Sequence, residues 1–375
     1  MGPRSTGKTF LLEKLLPPEN CSYINLLSSD VFLRLSAEPG LLGEMIDSHH
    51  KGVKRAGQMA VPKAVQIAVI DEIQRLPELL NEVHRLIEER GIRFLLTGSS
   101  ARRLKREHAN MLGGRAGMLN FFPLVYPEIP RFDLKRYLTV GGLPRVYAAE
   151  DPALELEAYV SVYLEQEIKI EANIRRLGPF SRFLKAAALS NGELINYANI
   201  ASDAGVPAST VREYYSVLED TLIGIVLDPW VKSEKRKAIQ TAKFYFFDTG
   251  VCNYILGLHQ LDRNSNFWGK SFEQYICLEL KAYLSYFQRS KKLSFWRSIN
   301  KQEVDFIIDD EIAIEVKSTK KVIPKHLAGI RALKEEEKLR KFYLVSDDPI
   351  ERMHEGVSII HWRSFLKALW AGGII

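Results

Sequence analysis

Eight residues, Gly2-Pro3-Arg4-Ser5-Thr6-Gly7-Lys8-Thr9, constrain this chain more than any other stretch, because they satisfy G-x-x-x-x-G-K-[ST] at every fixed position. The glycines let backbone N–H groups turn inward around phosphate oxygens. Lys8 can reach terminal phosphates, and the Thr9 hydroxyl is placed for Mg²⁺. Phe10 to Leu16 reads as the following helix, whose N-terminal dipole favours the same anion.

A second feature completes the pattern. Val65 to Ile70 is a β-rich apolar run ending in Asp71-Glu72, as expected of a buried parallel strand that delivers two carboxylates at its C-terminal edge. Asp71 would hold the water shell of Mg²⁺, and Glu72 would activate an attacking water. The competing reading is an acidic pair at a helix N-terminus, since Ile73 to Arg90 has helical period. A further strand, Ile92 to Leu96, leads into Thr97-Gly98-Ser99-Ser100. Its hydroxyls, Ser99 among them, either sense a γ-phosphate or form a polar strand-to-helix turn.

The segments GPRSTGKT at 2–9, VIDEIQRLPELL at 69–80, FLLTGSS at 94–100 and GGRAG at 113–117 together resemble the prokaryotic AAA-type ATPases of the GPRxxGKT class. The resemblance covers residues 1–130, and Gly141 to Tyr147 also resembles that family. It implies ATP and Mg²⁺ as ligands and a γ-phosphate contact by Arg115, in cis or from a neighbouring subunit of a homo-oligomer. The family places a buried strand directly before the loop, where this sequence has Met1 alone. Losing a central strand would leave its neighbours unpaired, so the expectation is a start further upstream or weakened nucleotide binding.

Residues 131–190 read as a helical lid or connector, with helical spacing at Ala158 to Ile174 and Phe180 to Leu189. Within 191–247, Tyr197 to Tyr214 fits a helix-turn-helix, with Gly205 at the turn and Ile200, Ala204, Val211 and Tyr214 facing inward. Leu222 to Trp230 and Lys243 to Phe247 would form the strands of a wing. The second helix carries Arg212 but also Glu213, Glu219 and Asp220, while Lys232, Lys235, Arg236 and Lys237 could touch phosphates. DNA binding and a role as spacer or oligomer contact both fit.

In 248–375, Glu273 lies on a helix and two β-type runs follow, Glu303 to Ile308 and Ile312 to Lys317. A three-residue turn, Asp309-Asp310-Glu311, would pair Ile308 with Ile312 and set Asp305 opposite Glu315, with Cβ atoms about 5 Å apart. Asp305 and Glu315 could then share Mg²⁺, Lys317 could stabilise charge on a phosphate, and Glu273 could complete the site. The plainer reading is a cross-strand salt pair of Glu315 and Lys317. Glu273, VDFII at 304–308 and IEVKS at 314–318 resemble the PD-(D/E)xK nuclease-like core, with Val304 where the pattern has proline. The order ATPase, helix-turn-helix, nuclease-like domain resembles a widespread, poorly characterised ATPase family.

Composition narrows the setting. A formal charge of +6 and a pI near 9.0 lean modestly toward an anionic partner. No apolar run approaches the roughly 20 residues of a membrane span, and an export signal is not expected ahead of a phosphate loop. Three scattered cysteines suggest neither zinc nor disulfides, and a cytoplasmic setting fits. The expected architecture is therefore α/β: an N-terminal P-loop AAA-type parallel sheet with a helical lid, a winged helix, and a C-terminal restriction-endonuclease-like domain. Two functions fit it. One is an ATP-hydrolysing protein acting on DNA through a Mg²⁺-dependent nuclease, the other a nucleotide-switched DNA- or partner-binding regulator with an inert nuclease-like domain.

Overall fold

The computed structural model describes residues 1–16, 21–55, 67–100, 117–167, 177–288 and 290–375. Spatial proximity divides the chain into two units, Met1–Phe121 with Asp220–Leu222, and Phe122–Glu219 with Ile223–Ile375. Among the described residues no helix is long and apolar enough to cross a membrane.

The first unit is built on three parallel strands in the order β1 (Ser22–Asn25), β2 (Ile67–Asp71) and β3 (Arg93–Leu96). Around them run α1 (Lys8–Leu15), α2 (Ser29–Ala37), α3 (Leu41–Arg55) and α4 (Leu79–Arg90). Leu79, Leu80, Val83 and Leu86 form the buried stripe of α4, at the spacing that keeps one helix face inward. They share a core with Ile24, Leu35, Ile46, Ala68 and Ile70. Each leucine, isoleucine or valine among them contributes about 1.5–3 kcal/mol on burial. The helix expected from Ile73 to Arg90 is broken: Ile73–Arg75 makes a single 3₁₀ turn and α4 starts only at Leu79. Pro77 is the cause, since it biases the preceding residue out of helical geometry, and Leu76 sits at φ −139°, ψ 71°, outside the helical region.

Residues entering the loop lie between two backbones. The Gly2 N–H donates to Gly98 O at 3.1 Å, and Met1 O accepts from the Phe121 N–H at 2.6 Å. A Cβ on Gly2 would come within 2.6 Å of Phe121 Cβ, so this approach needs glycine. Met1 and Gly2 thus follow the path, beside the continuation of β3, that a strand entering the loop would take.

The second unit opens with α5 (Leu134–Val140), α6 (Pro144–Ala148), α7 (Pro152–Ala158), a π-helical stretch Tyr159–Glu167, and α8 (Leu177–Leu189). Then come α9 (Tyr197–Ala204) and α10 (Ala208–Asp220), the antiparallel pair β4 (Gly224–Leu227) and β5 (Lys243–Phe246), α11 (Thr249–Ile255) and the long α12 (Asn266–Phe287). Gly205 closes α9 at φ 67°, which swings the chain into α10. One core joins Val146, Leu156, Phe183, Ile200, Val211, Leu218 and Phe246. The connector region, the helical pair and the hairpin are therefore packed together.

A six-stranded sheet follows, in the order β10 (Arg352–His354), β11 (Val357–His361), β9 (Lys341–Ser346), β8 (Ile312–Lys317), β7 (Glu303–Ile308), β6 (Leu293–Arg297). The β8–β9 and β9–β11 pairs are parallel and the rest antiparallel. Helix α12 and α14 (Trp362–Trp370) contribute to the core that includes Phe306 and Ile314, and the short α13 (Ala328–Lys334) to the core that includes Ile307 and Ala313. Ile129, Phe132, Tyr137 and Leu138 belong to the first of these.

Candidate functional site

The loop at residues 2–9 has the backbone its sequence demands. Ser5 (φ 61°) and Gly7 (φ 91°) take left-handed conformations, which turns successive N–H groups toward one centre, and α1 starts immediately after Gly7. Thr6 is buried and donates to Pro3 O at 2.8 Å, closing the loop from within. The Lys8 ammonium folds across it, donating to Gly2 O at 2.6 Å and Pro3 O at 2.7 Å. Burial lowers Lys8 to about 8, with Glu72 and Asp71 opposing that shift. The ammonium is thus held among carbonyls, near two carboxylates, where incoming phosphate oxygens could take it over.

Strand β2 delivers the carboxylates. Asp71 Oδ2 accepts from Tyr23 OH at 2.7 Å and from Thr9 Oγ1 at 3.4 Å, and Thr97 Oγ1 donates to Asp71 Oδ1. Hard oxygen donors from the loop and from β2 thereby face each other, the chemistry a Mg²⁺ ion takes. Glu72 sits at φ 60°, a left-handed position uncommon for a side chain that large. Its Oε2 accepts from Gln74 Nε2 and, at 3.3 Å, from Ser99 Oγ; Gln74 also donates to Ser99 at 3.0 Å. Ser99 therefore contacts the second carboxylate. Arg115, and Val65 and Gln66 of the expected strand, lie outside the described residues.

A second polar cluster lies in the other unit. Ile308 pairs with Ile312 and Phe306 with Ile314, the register that a three-residue turn imposes. One step further along, Asp305 and Glu315 meet on the buried face, 4% and 5% exposed. Asp305 Oδ2 accepts from the Val316 N–H at 2.8 Å. Lys317 Nζ lies 2.6 Å from Glu315 Oε1 and 3.8 Å from Asp305 Oδ2. Burial and the neighbouring Asp305 push Glu315 up to about 8. Glu273 on α12 reaches the same place, held by Tyr245 OH at 2.6 Å, and burial raises its carboxyl too.

The sequence reading missed a buried lysine beside this cluster. Lys243, at the start of β5, is 2% exposed, with Nζ 2.5 Å from Glu303 Oε1 and 3.3 Å from Glu273 Oε1. Burial alone would strip its proton; Glu273, Asp305 and Glu303 outweigh that and hold the ammonium above its ordinary value. Arg297 takes the other oxygen of Glu303 at 3.0 Å. Among the described residues no three His, Cys, Asp or Glu side chains are arranged to hold a metal ion. Lys317 is the base paired with Asp305 and Glu315, the residues expected to share Mg²⁺, while Lys243 and Arg297 pair with Glu273 and Glu303.

The expected basic run is also engaged. Lys232 pairs with Asp310 at 2.5 Å, Lys235 with Glu337 at 3.6 Å, and Arg236 with Glu335. Arg212 lies over the Tyr197 ring, 4.7 Å from its centroid.

Comparison with known proteins agrees with the N-terminal geometry. Residues 1–130 match the AAA domain family. The loop, Asp71 and Glu72 all lie inside that match, while residues 131–262 and 268–365 match two domains of unknown function, DUF8612 and DUF4143. An uncharacterized protein of Methanocaldococcus jannaschii is 25% identical over 341 residues, covering 83% of this chain and 71% of its own length. A second from the same organism is 25% identical over 258 residues (64% of this chain, 50% of its own). An uncharacterized protein of Haemophilus influenzae is 24% identical over 208 residues (50% and 52%). The chain thus spans about half the length of the latter two. No solved structure matches.

Proposed function

We propose that this chain is a Mg²⁺-dependent ATPase whose nucleotide state controls what its second unit binds. The observation that carries the reading is the convergence of Lys8, Thr9 and Asp71, with Glu72 tethered beside them by Gln74. Backbone N–H groups of residues 4–9 would cradle the phosphates, and Lys8 would exchange its loop carbonyls for phosphate oxygens. Thr9, and Asp71 through water, would hold Mg²⁺, which when bound neutralises charge building on the transferred phosphoryl group. Glu72 would accept the proton of the attacking water, from a carboxylate whose orientation Gln74 and Ser99 set.

The helical pair α9–α10 followed by the β4–β5 hairpin supports a winged-helix-like module, and DNA is the partner class we assign to it. The ion pairs of Lys232, Lys235 and Arg236 make affinity for phosphate through that run modest. The sheet with α12 across it supports a restriction-endonuclease-like architecture for the C-terminal part.

The test is steady-state hydrolysis by the intact chain. Lys8→Ala should abolish turnover. Glu72→Gln should keep ATP binding while slowing hydrolysis by about 10²–10⁴-fold. Hydrolysis undiminished in Lys8→Ala would reject the assignment.

A further inference from the structure

We infer that two resident cations hold the carboxylates of the second unit together in place of a divalent metal, Lys243 between Glu273 and Glu303 and Lys317 between Asp305 and Glu315, and that the cluster is consequently closed to Mg²⁺. This stands on the second unit alone and is independent of the ATPase reading.

The geometry supports it in three ways. First, the Lys243 ammonium is placed as a bridging ion would be: it joins a helix (Glu273), a strand (Glu303) and its own strand β5, with the Phe295 ring 5.3 Å away closing one side. A lysine this deeply buried persists only when carboxylates surround it. Second, the remaining carboxylates are engaged. Lys317 takes Glu315 Oε1, Arg297 takes Glu303 Oε2, and a backbone N–H takes Asp305 Oδ2. Four acids thus face three bases, and even with all four carboxyls ionised a dication would leave the site net positive by one charge. Third, Mg²⁺ keeps several waters of its own even where one or two carboxylates bind it, whereas Glu315 Oε2 is buried without a hydrogen-bond partner and has no surface left for water to reach. A dication beside a buried ammonium also meets strong repulsion, because few water dipoles lie between them.

The consequence is a cluster that works as a lock. Lys243 ties the hairpin to α12 and β7 without metal, so the second unit should neither bind Mn²⁺ there nor cleave phosphodiesters by a metal-dependent route. Removing the ammonium while keeping the acids should turn the lock into a metal site.

The experiment is calorimetric titration of MnCl₂ into the full nucleotide-free chain, compared with Asp305→Asn and Lys243→Met. Any Mn²⁺ bound at the phosphate loop is common to all three and drops out. We expect wild type and Asp305→Asn to be indistinguishable. Lys243→Met should gain one further site, seen also as a Mn²⁺-dependent rise in Tm of roughly 2–4 °C beyond that of wild type. A stoichiometric Mn²⁺ in wild type that Asp305→Asn removes would overturn the inference, as would a Lys243→Met protein that Mn²⁺ stabilises no more than wild type. ATP turnover by Lys243→Met, expected unchanged, reports that the chain is folded and keeps failure here distinct from failure of the ATPase reading. If Lys243→Met does not fold, the comparison of wild type with Asp305→Asn still decides.

Discussion

Gln74 shows how much a single side chain can set. It is buried, and its amide nitrogen donates to both Glu72 and Ser99, so it holds the carboxylate of a residue whose backbone is itself in a costly left-handed conformation. Replacing it with leucine should lower kcat roughly tenfold by loosening that orientation, with nucleotide Kd unchanged. Fluorescent-nucleotide binding beside steady-state rates checks this; equal losses in affinity and rate would mean that Gln74 shapes the loop instead. Glu279 makes a different prediction. It is buried on α12, accepting from Tyr126 N–H at 2.8 Å and Trp370 Nε1 at 2.7 Å, and burial raises it to about 8 against those hydrogen bonds. The folded chain therefore binds a proton that the unfolded chain, titrating near 4.5, has released. Its contribution to stability is fully present below pH 4.5 and declines as pH rises toward 8. Glu279→Gln should flatten that decline in Tm, and an unchanged slope between pH 5 and 8 would assign it to other groups, Asp248 among them.

At the scale of elements, the β7–β8 turn is the clearest case of local chemistry deciding tertiary placement. Asp309 takes φ 50°, which a short aspartate tolerates, and the three-residue turn brings Asp305 and Glu315 to one face. In the sequence that facing was conditional on turn length, since a two-residue turn would set Asp305 against Ile314; the structure takes the three-residue turn. Pro77 marks the opposite outcome, since helical period alone hid a break that proline chemistry imposes. A third element-level feature joins two glycine-rich segments. Asp248 caps α11 and accepts from the Gly142 N–H at 2.7 Å and the Val251 N–H at 3.0 Å, while the space for a Cβ on Gly250 is filled by Val140 O. Gly250→Ala should therefore destabilise the second unit by on the order of 3 kcal/mol, because backbone rather than a movable side chain must yield. Chemical denaturation would measure it; a loss below about 1 kcal/mol would show that α11 shifts freely.

At the scale of the molecule, the two units have separate cores, one around Ile70 and Val83 and others around Phe183, Phe306 and Ile307. Calorimetry should resolve two unfolding transitions. Saturating Mg²⁺ and ATP should raise the one belonging to the first unit, by about 2.7 kcal/mol at a hundredfold excess over Kd. A single transition that moves as a whole would show that the units unfold together. What the sequence determined by itself was whatever rests on short-range rules. The phosphate loop follows from glycine conformations and a fixed spacing, the Asp71-Glu72 pair from an apolar strand end, and the shared side of Glu315 and Lys317 on their strand from period-two alternation. Tertiary structure alone decided which charges distant in sequence meet. Lys243 stands 30 positions from Glu273 and is bonded to it, and Lys232 likewise stands 78 from Asp310. No local periodicity relates such residues. Coulomb attraction and the cost of burying an unpaired charge select partners only after the sheet, α12 and the hairpin have packed, so a run that looks free in sequence can be neutralised in the fold.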